Sequence, residues 1–124
     1  MTTSRTKLGS VGEHHARLML ERKGFRFVEA NWRAASGEVD LVMLDGEFLV
    51  FVEVKVRRGE RAGTAEESIS RAKAQRLLAT GDWYVAEHPE YAERPWRIDL
   101  MAITIDDRGV VARSLHIEDA VVAG

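Results

Sequence analysis

The 124-residue sequence contains no cysteine. Disulfide staples, thiolate zinc sites and cysteine nucleophiles are therefore all excluded, and a reducing compartment is suited. Proline is scarce: Pro89 and Pro95 are the only two, and both fall in "HPEYAERPW", which reads as a loop. No apolar run approaches the roughly 18 residues that a membrane span requires. The opening residues "MTTSRTKLGSVGEHH" hold no apolar core of signal-peptide length. The expectation is a cytoplasmic protein that does not enter a membrane. A large charge of either sign is also missing. The formal net charge of −2 argues against a protein wrapped in nucleic acid through bulk charge, while leaving room for a local basic face. Repeats, low-complexity tracts and linkers are absent.

What is present is ordinary for a soluble globular chain: 45% hydrophobic and 31% charged residues. Residues 1–124 are expected to form a single domain with a core that needs no covalent staple. Residues 5–23 show helical spacing through Leu8, Val11, Leu18 and Met19, with Gly24 as the stop. Gly9, Gly12 and Ala16 gather on one side, which suits close approach to a sheet. "FRFVEANW" predicts a strand and "RAASG" a turn. "EVDLVML", "DG" and "EFLVFVEVKVR" predict a hairpin, because Asp-Gly between apolar runs favours a tight turn. A second helix is expected from Thr64, with Glu67 completing a capping box, to about Glu87. Gly81 costs that helix about 1 kcal/mol relative to Ala. "WRIDLMAITI" and "VVARSLHI" predict two further strands around the turn "DDRG", and "EDAVV" a closing helical turn. A helix between strands implies a crossover, so part of the sheet is expected to be parallel.

Within the hairpin, Asp40, Glu53 and Lys55 interrupt runs that are otherwise averse to water. With Asp45 and Gly46 as the central turn residues, Asp40 opposes Phe51. Alternation then puts Asp40, Phe51, Glu53 and Lys55 on one face. Glu53 becomes the diagonal neighbour of Asp40, about 7–8 Å away between backbones. Leu49, Val50, Phe51, Val52, Val54 and Val56 make that strand apolar on both sides, as a central strand covered on both faces would be. Charges there must be paired or hold a metal. Two readings fit: a divalent-cation site, each carboxylate oxygen about 2.0–2.6 Å from the ion, or a buried salt bridge of Lys55 with Asp40 or Glu53. Two acids and a lysine suit metal-assisted phosphodiester hydrolysis with Mg²⁺ or Mn²⁺. The lysine can orient or deprotonate the attacking water, or stabilise the phosphoryl oxygens.

"GEVD" followed by "FVEVKVR" resembles the hallmark of the restriction-endonuclease-like, PD-(D/E)XK superfamily. Together with "GSVGEHHARLMLERKGF", "NWR", Lys73 and "WRIDLMAI", it is most similar to the YraN-like family of bacterial proteins, over roughly residues 8–118. The resemblance implies an α/β fold with an αβββαβ core, a mixed central sheet flanked by helices, and a metal-dependent nuclease-like site similar to that of Holliday-junction resolvases. It implies that Asp40, Glu53 and Lys55 are catalytic, and that Glu13 joins Asp40 and Glu53 in holding the metal. Lys73 matches a position in the second helix that supports the site. Val39 stands where the superfamily has proline.

The remaining residues have competing readings. Ser10 with Glu13 is itself a capping box, which would make Glu13 only a helix-start residue. Glu38 reads either as an acid supporting the site from behind or as a solvent-facing strand residue, the latter slightly favoured. Asp99 reads either as support for the sheet edge or as a partner of Arg97, with no catalytic role. His14 and His15 point about 100° apart on a helix and make poor joint ligands. His88 and His116 are isolated. Trp32, Trp83, Tyr84 and Trp96 could stack bases, but core packing is the simpler role. Arg33, Arg57, Arg58 and Lys73 are candidate nucleic-acid contacts, with solvated surface charge an equal alternative for the arginines. The expected partner is DNA ahead of RNA, structured or branched, and a homodimer would suit cutting of two strands. The alternative is a non-catalytic module that binds nucleic acid or protein on the same fold.

Overall fold

Helix α1 (Lys7–Arg22) presents Gly12, Ala16 and Leu20 to the sheet, four residues apart and therefore on one stripe. A methyl at Gly12 would collide with Val56. The computed structural model describes residues 7–59 and 69–121, with side chains from Gly9 onward. The stripe confirms the small-residue side read from the sequence and corrects the larger residues. Val11 and Leu18 are exposed, because the helix axis lies so near the sheet that only small residues and Leu20 fit beneath it. The helix ends as Gly24 predicts. Gly24 takes φ 101° and its N–H bonds to Glu21 O, while Phe25 N–H reaches back to Leu20 O. That is a Schellman closure, and Leu20 and Phe25 supply its buried contact.

Five strands form one sheet in the order β1-β2-β3-β4-β5: β1 (Arg26–Ala34), β2 (Gly37–Asp45), β3 (Phe48–Arg58), β4 (Trp96–Ile105) and β5 (Val111–Ile117). Only the β3–β4 pair is parallel, and helix α2 (Arg71–Glu87) lies between those two strands in the chain. The fold is thus α/β, with a mixed sheet and the restriction-endonuclease-like order αβββαβ, extended by β5. Along β3, Val50 and Val52 pack in the layer of Ala16 and Leu20, while Leu49 and Phe51 pack in the layer of Leu77 and Tyr84. Successive strand residues face opposite ways, so α1 and α2 cover opposite faces. Each fully buried Val, Leu or Phe contributes about 1.5–3 kcal/mol, which makes β3 the main apolar investment of the sheet.

Several local expectations are corrected. The β1–β2 turn is Ala35–Ser36, shorter than the predicted "RAASG", because Arg33 and Ala34 pair with Glu38 and Gly37. In the hairpin, Asp45 pairs with Phe48, so Gly46 and Glu47 are the loop residues rather than Asp45 and Gly46. Gly46 supplies the positive φ of 60° that a two-residue hairpin loop needs. Phe51 consequently opposes Val42, not Asp40. Residues 64–67, with the predicted capping box, lie outside the described residues. The described cap of α2 is Ser70, whose hydroxyl accepts from Lys73 N–H at 3.1 Å. Gly81 does not break α2. A Cβ there would lie 2.6 Å from Trp96 Cζ3, so glycine is what lets the helix rest on Trp96 and Phe51. After β5, Glu118 and Asp119 form a turn, not a helix, and Ala120 N–H bonds to Ile98 O at 2.7 Å. Among the described residues no helix is long and apolar enough to cross a membrane.

Candidate functional site

The central event is a fork. The β2–β3 pairing runs from Asp45↔Phe48 to Leu41↔Val52 and ends there, while β3 continues alongside β4 to Arg58. Asp40 and Glu53 are the next residues on the two diverging strands. The carboxylate of Asp40 accepts the Val54 N–H at 2.8 Å, in the position a strand carbonyl would otherwise fill. The register thus brings the two acids together, with Asp40 facing Glu53 directly rather than diagonally.

Glu53 lies on the α2 face and its side chain is only 8% exposed. Its Oε2 receives the ammonium of Lys73 at 2.6 Å, from the first turn of α2. The salt bridge anticipated for Lys55 is therefore made by Lys73. Lys55 stays on the strand, opposite Ala102, and pairs with neither acid. Alternation places Lys55 and Arg57 on the same face as Glu53. Neither Asp40 Oδ1 nor Glu53 Oε1 has a hydrogen-bond partner among the described residues.

A residue the sequence reading passed over connects the other acids. Asn31 in β1 adopts φ 57°, and its amide donates at 3.2 Å to Glu13 of α1 and at 3.2 Å to Glu38 of β2. Asparagine tolerates the left-handed region better than other side-chain-bearing residues. An asparagine within a strand pattern was the available signal. Glu13 is not a helix-start residue, since α1 begins at Lys7 and Ser10 lies inside it. Glu38 is half-buried and also meets Arg33 at 3.4 Å, which ties that arginine to the acid cluster.

Asp40 senses the whole group. Its carboxyl is pushed up to about 8, first by burial and then by the charge of Glu53, with smaller contributions from Glu13 and Glu38; the Val54 N–H works the other way. Burial and the neighbouring acids thus favour the protonated form of Asp40. Among the described residues no three His, Asp or Glu side chains converge closely enough to hold a metal ion. Two carboxylates, each with one oxygen uncommitted, nonetheless fit Mg²⁺, which binds through one or two carboxylates and keeps the rest of its shell for water and substrate phosphate. Mn²⁺, served by the same ligand types, fits likewise.

Other candidates go elsewhere. Arg58 donates to the carbonyls of Asp106 and Asp107 in the β4–β5 turn. Trp32, Tyr84 and Trp96 pack in the α2 layer around Phe51, as core packing predicts, whereas Trp83 is half exposed. The phenol of Tyr84 is held against ionisation by burial and by its bond to Glu29. On the opposite face Asp99 pairs with Arg97 at 2.8 Å, the second of the two roles the sequence left open for it. His116 is not isolated: its Nε2 lies 2.9 Å from Asp99 and its Nδ1 2.8 Å from Lys23 Nζ. Lysine only donates, so Nδ1 accepts and Nε2–H donates to Asp99.

Comparison with known proteins follows the same residues. Positions 12–103, which include all four site acids and both lysines, match the profile of "Uncharacterised protein family UPF0102". The UPF0102 protein of Roseiflexus castenholzii is 44% identical over 121 residues, 98% of each chain. That of Renibacterium salmoninarum is 47% identical over 102 residues, 82% of this chain and 86% of its own. Among solved structures, Pyrococcus furiosus SfsA in complex with Ca²⁺ aligns with a TM-score of 0.29 and 13% identity, over 88% of this chain and 60% of that one. A likeness of that size carries no argument.

Proposed function

This chain belongs to the uncharacterised protein family UPF0102, and we propose that it is a metal-dependent nuclease that hydrolyses phosphodiester bonds of structured or branched DNA. The observation that carries the reading is the fork: two diverging strands present Asp40 and Glu53 to each other, partly shielded from water, each with one free carboxylate oxygen. Holding two acids side by side carries an electrostatic cost that a bound cation would relieve.

In this reading Asp40 and Glu53 hold Mg²⁺ or Mn²⁺. The cation supplies Lewis acidity toward the phosphate and lowers the pKa of the attacking water. Lys55, on the Glu53 face and free of both acids, orients that water or takes charge developing on the phosphoryl oxygens. Asn31 keeps Glu13 and Glu38 at the rim of the site. Arg33 and Arg57 are the remaining basic contacts for the backbone of the nucleic acid.

The test is incubation of the full chain with branched, single-stranded and duplex DNA in Mn²⁺. Cleavage is expected for wild type, with loss of at least about a hundredfold in Asp40→Asn and Glu53→Gln. Absence of cleavage on every substrate would overturn the reading. A second reading, a non-catalytic binding module, draws on the Glu53–Lys73 ion pair, which already compensates one acid without a metal. It predicts metal-independent nucleic-acid binding that weakens steeply with salt.

A further inference from the structure

Glu53 and Lys73 are an unequal pair. The carboxylate is enclosed, with its side chain 8% exposed, while the lysine side chain is 42% exposed. The acid cannot leave: it is fixed on a central strand between β2 and β4. The lysine can. Its backbone is pinned at the start of α2 by the Ser70 hydroxyl, but four rotatable carbons separate that anchor from the ammonium. Lys55, nearer in sequence and on the same strand face, does not take up the pairing. The ammonium is thus carried by the exposed member of the pair and the carboxylate by the enclosed one.

A divalent cation would bind a carboxylate oxygen at about 2.0–2.6 Å. Lys73 Nζ already lies 2.6 Å from Glu53 Oε2. A cation on Oε1, the oxygen left free, would share one carboxylate with that ammonium, and two positive centres on one carboxylate repel strongly in a partly dry site. Building on the metal-site reading above, we propose that Lys73 is an exchangeable counter-ion of Glu53, holding the carboxylate in the metal-free protein and being displaced when the cation binds. The lysine then sets the affinity of the site. It keeps a buried acid compensated when no metal is present, and it makes occupancy depend on competition rather than on an open vacancy.

Calorimetric titration of Mn²⁺ into the full chain, in low salt, tests this without any assay of cleavage. Lys73→Met keeps the length and removes the charge, so it is expected to bind Mn²⁺ about tenfold or more tightly than wild type. Its melting temperature without metal should be lower and its gain on adding Mn²⁺ larger. Lys73→Arg, which keeps a cation on the helix, should stay within about threefold of wild type. Should Lys73→Met fold poorly, Lys73→Gln carries the same expectation. Wild type that binds Mn²⁺ with Lys73→Met or Lys73→Gln binding no more tightly overturns the counter-ion proposal alone. Failure of wild type and both neutral variants to bind overturns it together with the metal-site reading. Binding by the neutral variants alone supports it in its strongest form.

Discussion

Asp99 on the α1 face and Asp40 at the fork are both carboxylates withdrawn from water, and the protein surrounds them in opposite ways. Asp99 is fully buried and receives Arg97 twice, His116 once and the Asp119 N–H, all within 3.2 Å. Burial alone would raise its pKa, yet the bonds from His116, Arg97 and the Asp119 amide outweigh it and hold the carboxyl below the usual range. Arg97 is in turn raised: burial opposes its charge, but hydrogen bonds to Asp99 and Asp45 prevail. Asp40 has one N–H and three acidic neighbours, and its pKa rises to about 8. The first arrangement is complete as it stands. The second leaves acid against acid, which is why the fork, not the better-connected cluster, is the place to look for chemistry.

The contrast can be broken most forcefully from the Asp99 side. Arg97→Ala leaves a fully buried carboxylate short of its main counter-ion and should cost about 3–5 kcal/mol, read from denaturant unfolding. A loss below about 1 kcal/mol would mean that Asp99 is no better served than Asp40.

Removing the charge at the fork should do the reverse. The folded state keeps a proton on Asp40 between its ordinary value of 3.8 and about 8, whereas the unfolded chain releases it. Asp40 therefore takes stability away as pH rises through that window. Asp99 contributes the opposite sign, its stabilisation being present above 3.8 and lost as pH falls below it. Asp40→Asn should consequently match wild type near pH 4. At pH 8, without metal, it should exceed wild type by about 1.4 kcal/mol or more, the worth of one pKa unit. Equal stability at both pH values would show that the fork relaxes around its acids.

The smallest expected effect comes from Asn31→Gly. Glycine accepts φ 57° without strain, so the change isolates the amide that bridges Glu13 and Glu38. A loss of about 0.5–1.5 kcal/mol in thermal or denaturant unfolding is expected. A gain would show that the amide serves only the backbone conformation.

Much of this was legible from the chain. Strand β4 begins and ends where "WRIDLMAITI" does, because its alternation, the Pro95 boundary and the Asp-Asp-Arg-Gly turn all agree. Gly24 and Gly12 announced the end and the buried side of α1. The juxtaposition of Asp40 and Glu53 survived an incorrect turn assignment, because moving the loop from Asp45–Gly46 to Gly46–Glu47 shifts the pairing by two and preserves the faces. What displaced the turn was not local: Asp45 is held by Arg97, fifty-two positions away, at 2.9 Å. The same reason hid the rest. Whether Lys55 or Lys73 meets Glu53 depends on where α2 lands on the sheet, and that is set by Gly81 against Trp96. His116 looked isolated because its partners, Lys23 and Asp99, come from the end of a helix and another strand.

The bond from Val54 N–H to Asp40 gives the site a built-in gauge. The amide proton of a central-strand residue is bonded to a carboxylate rather than to a carbonyl, so its chemical shift and its exchange with deuterium follow the charge on that carboxylate. Titrating acid, adding a cation or substituting Lys73 should each move one resolved backbone signal, with no label introduced. Any substitution of Asp40 that cannot accept a hydrogen bond also strips a strand of one rung, so an alanine there would confound lost chemistry with a loosened sheet, whereas asparagine keeps the two apart.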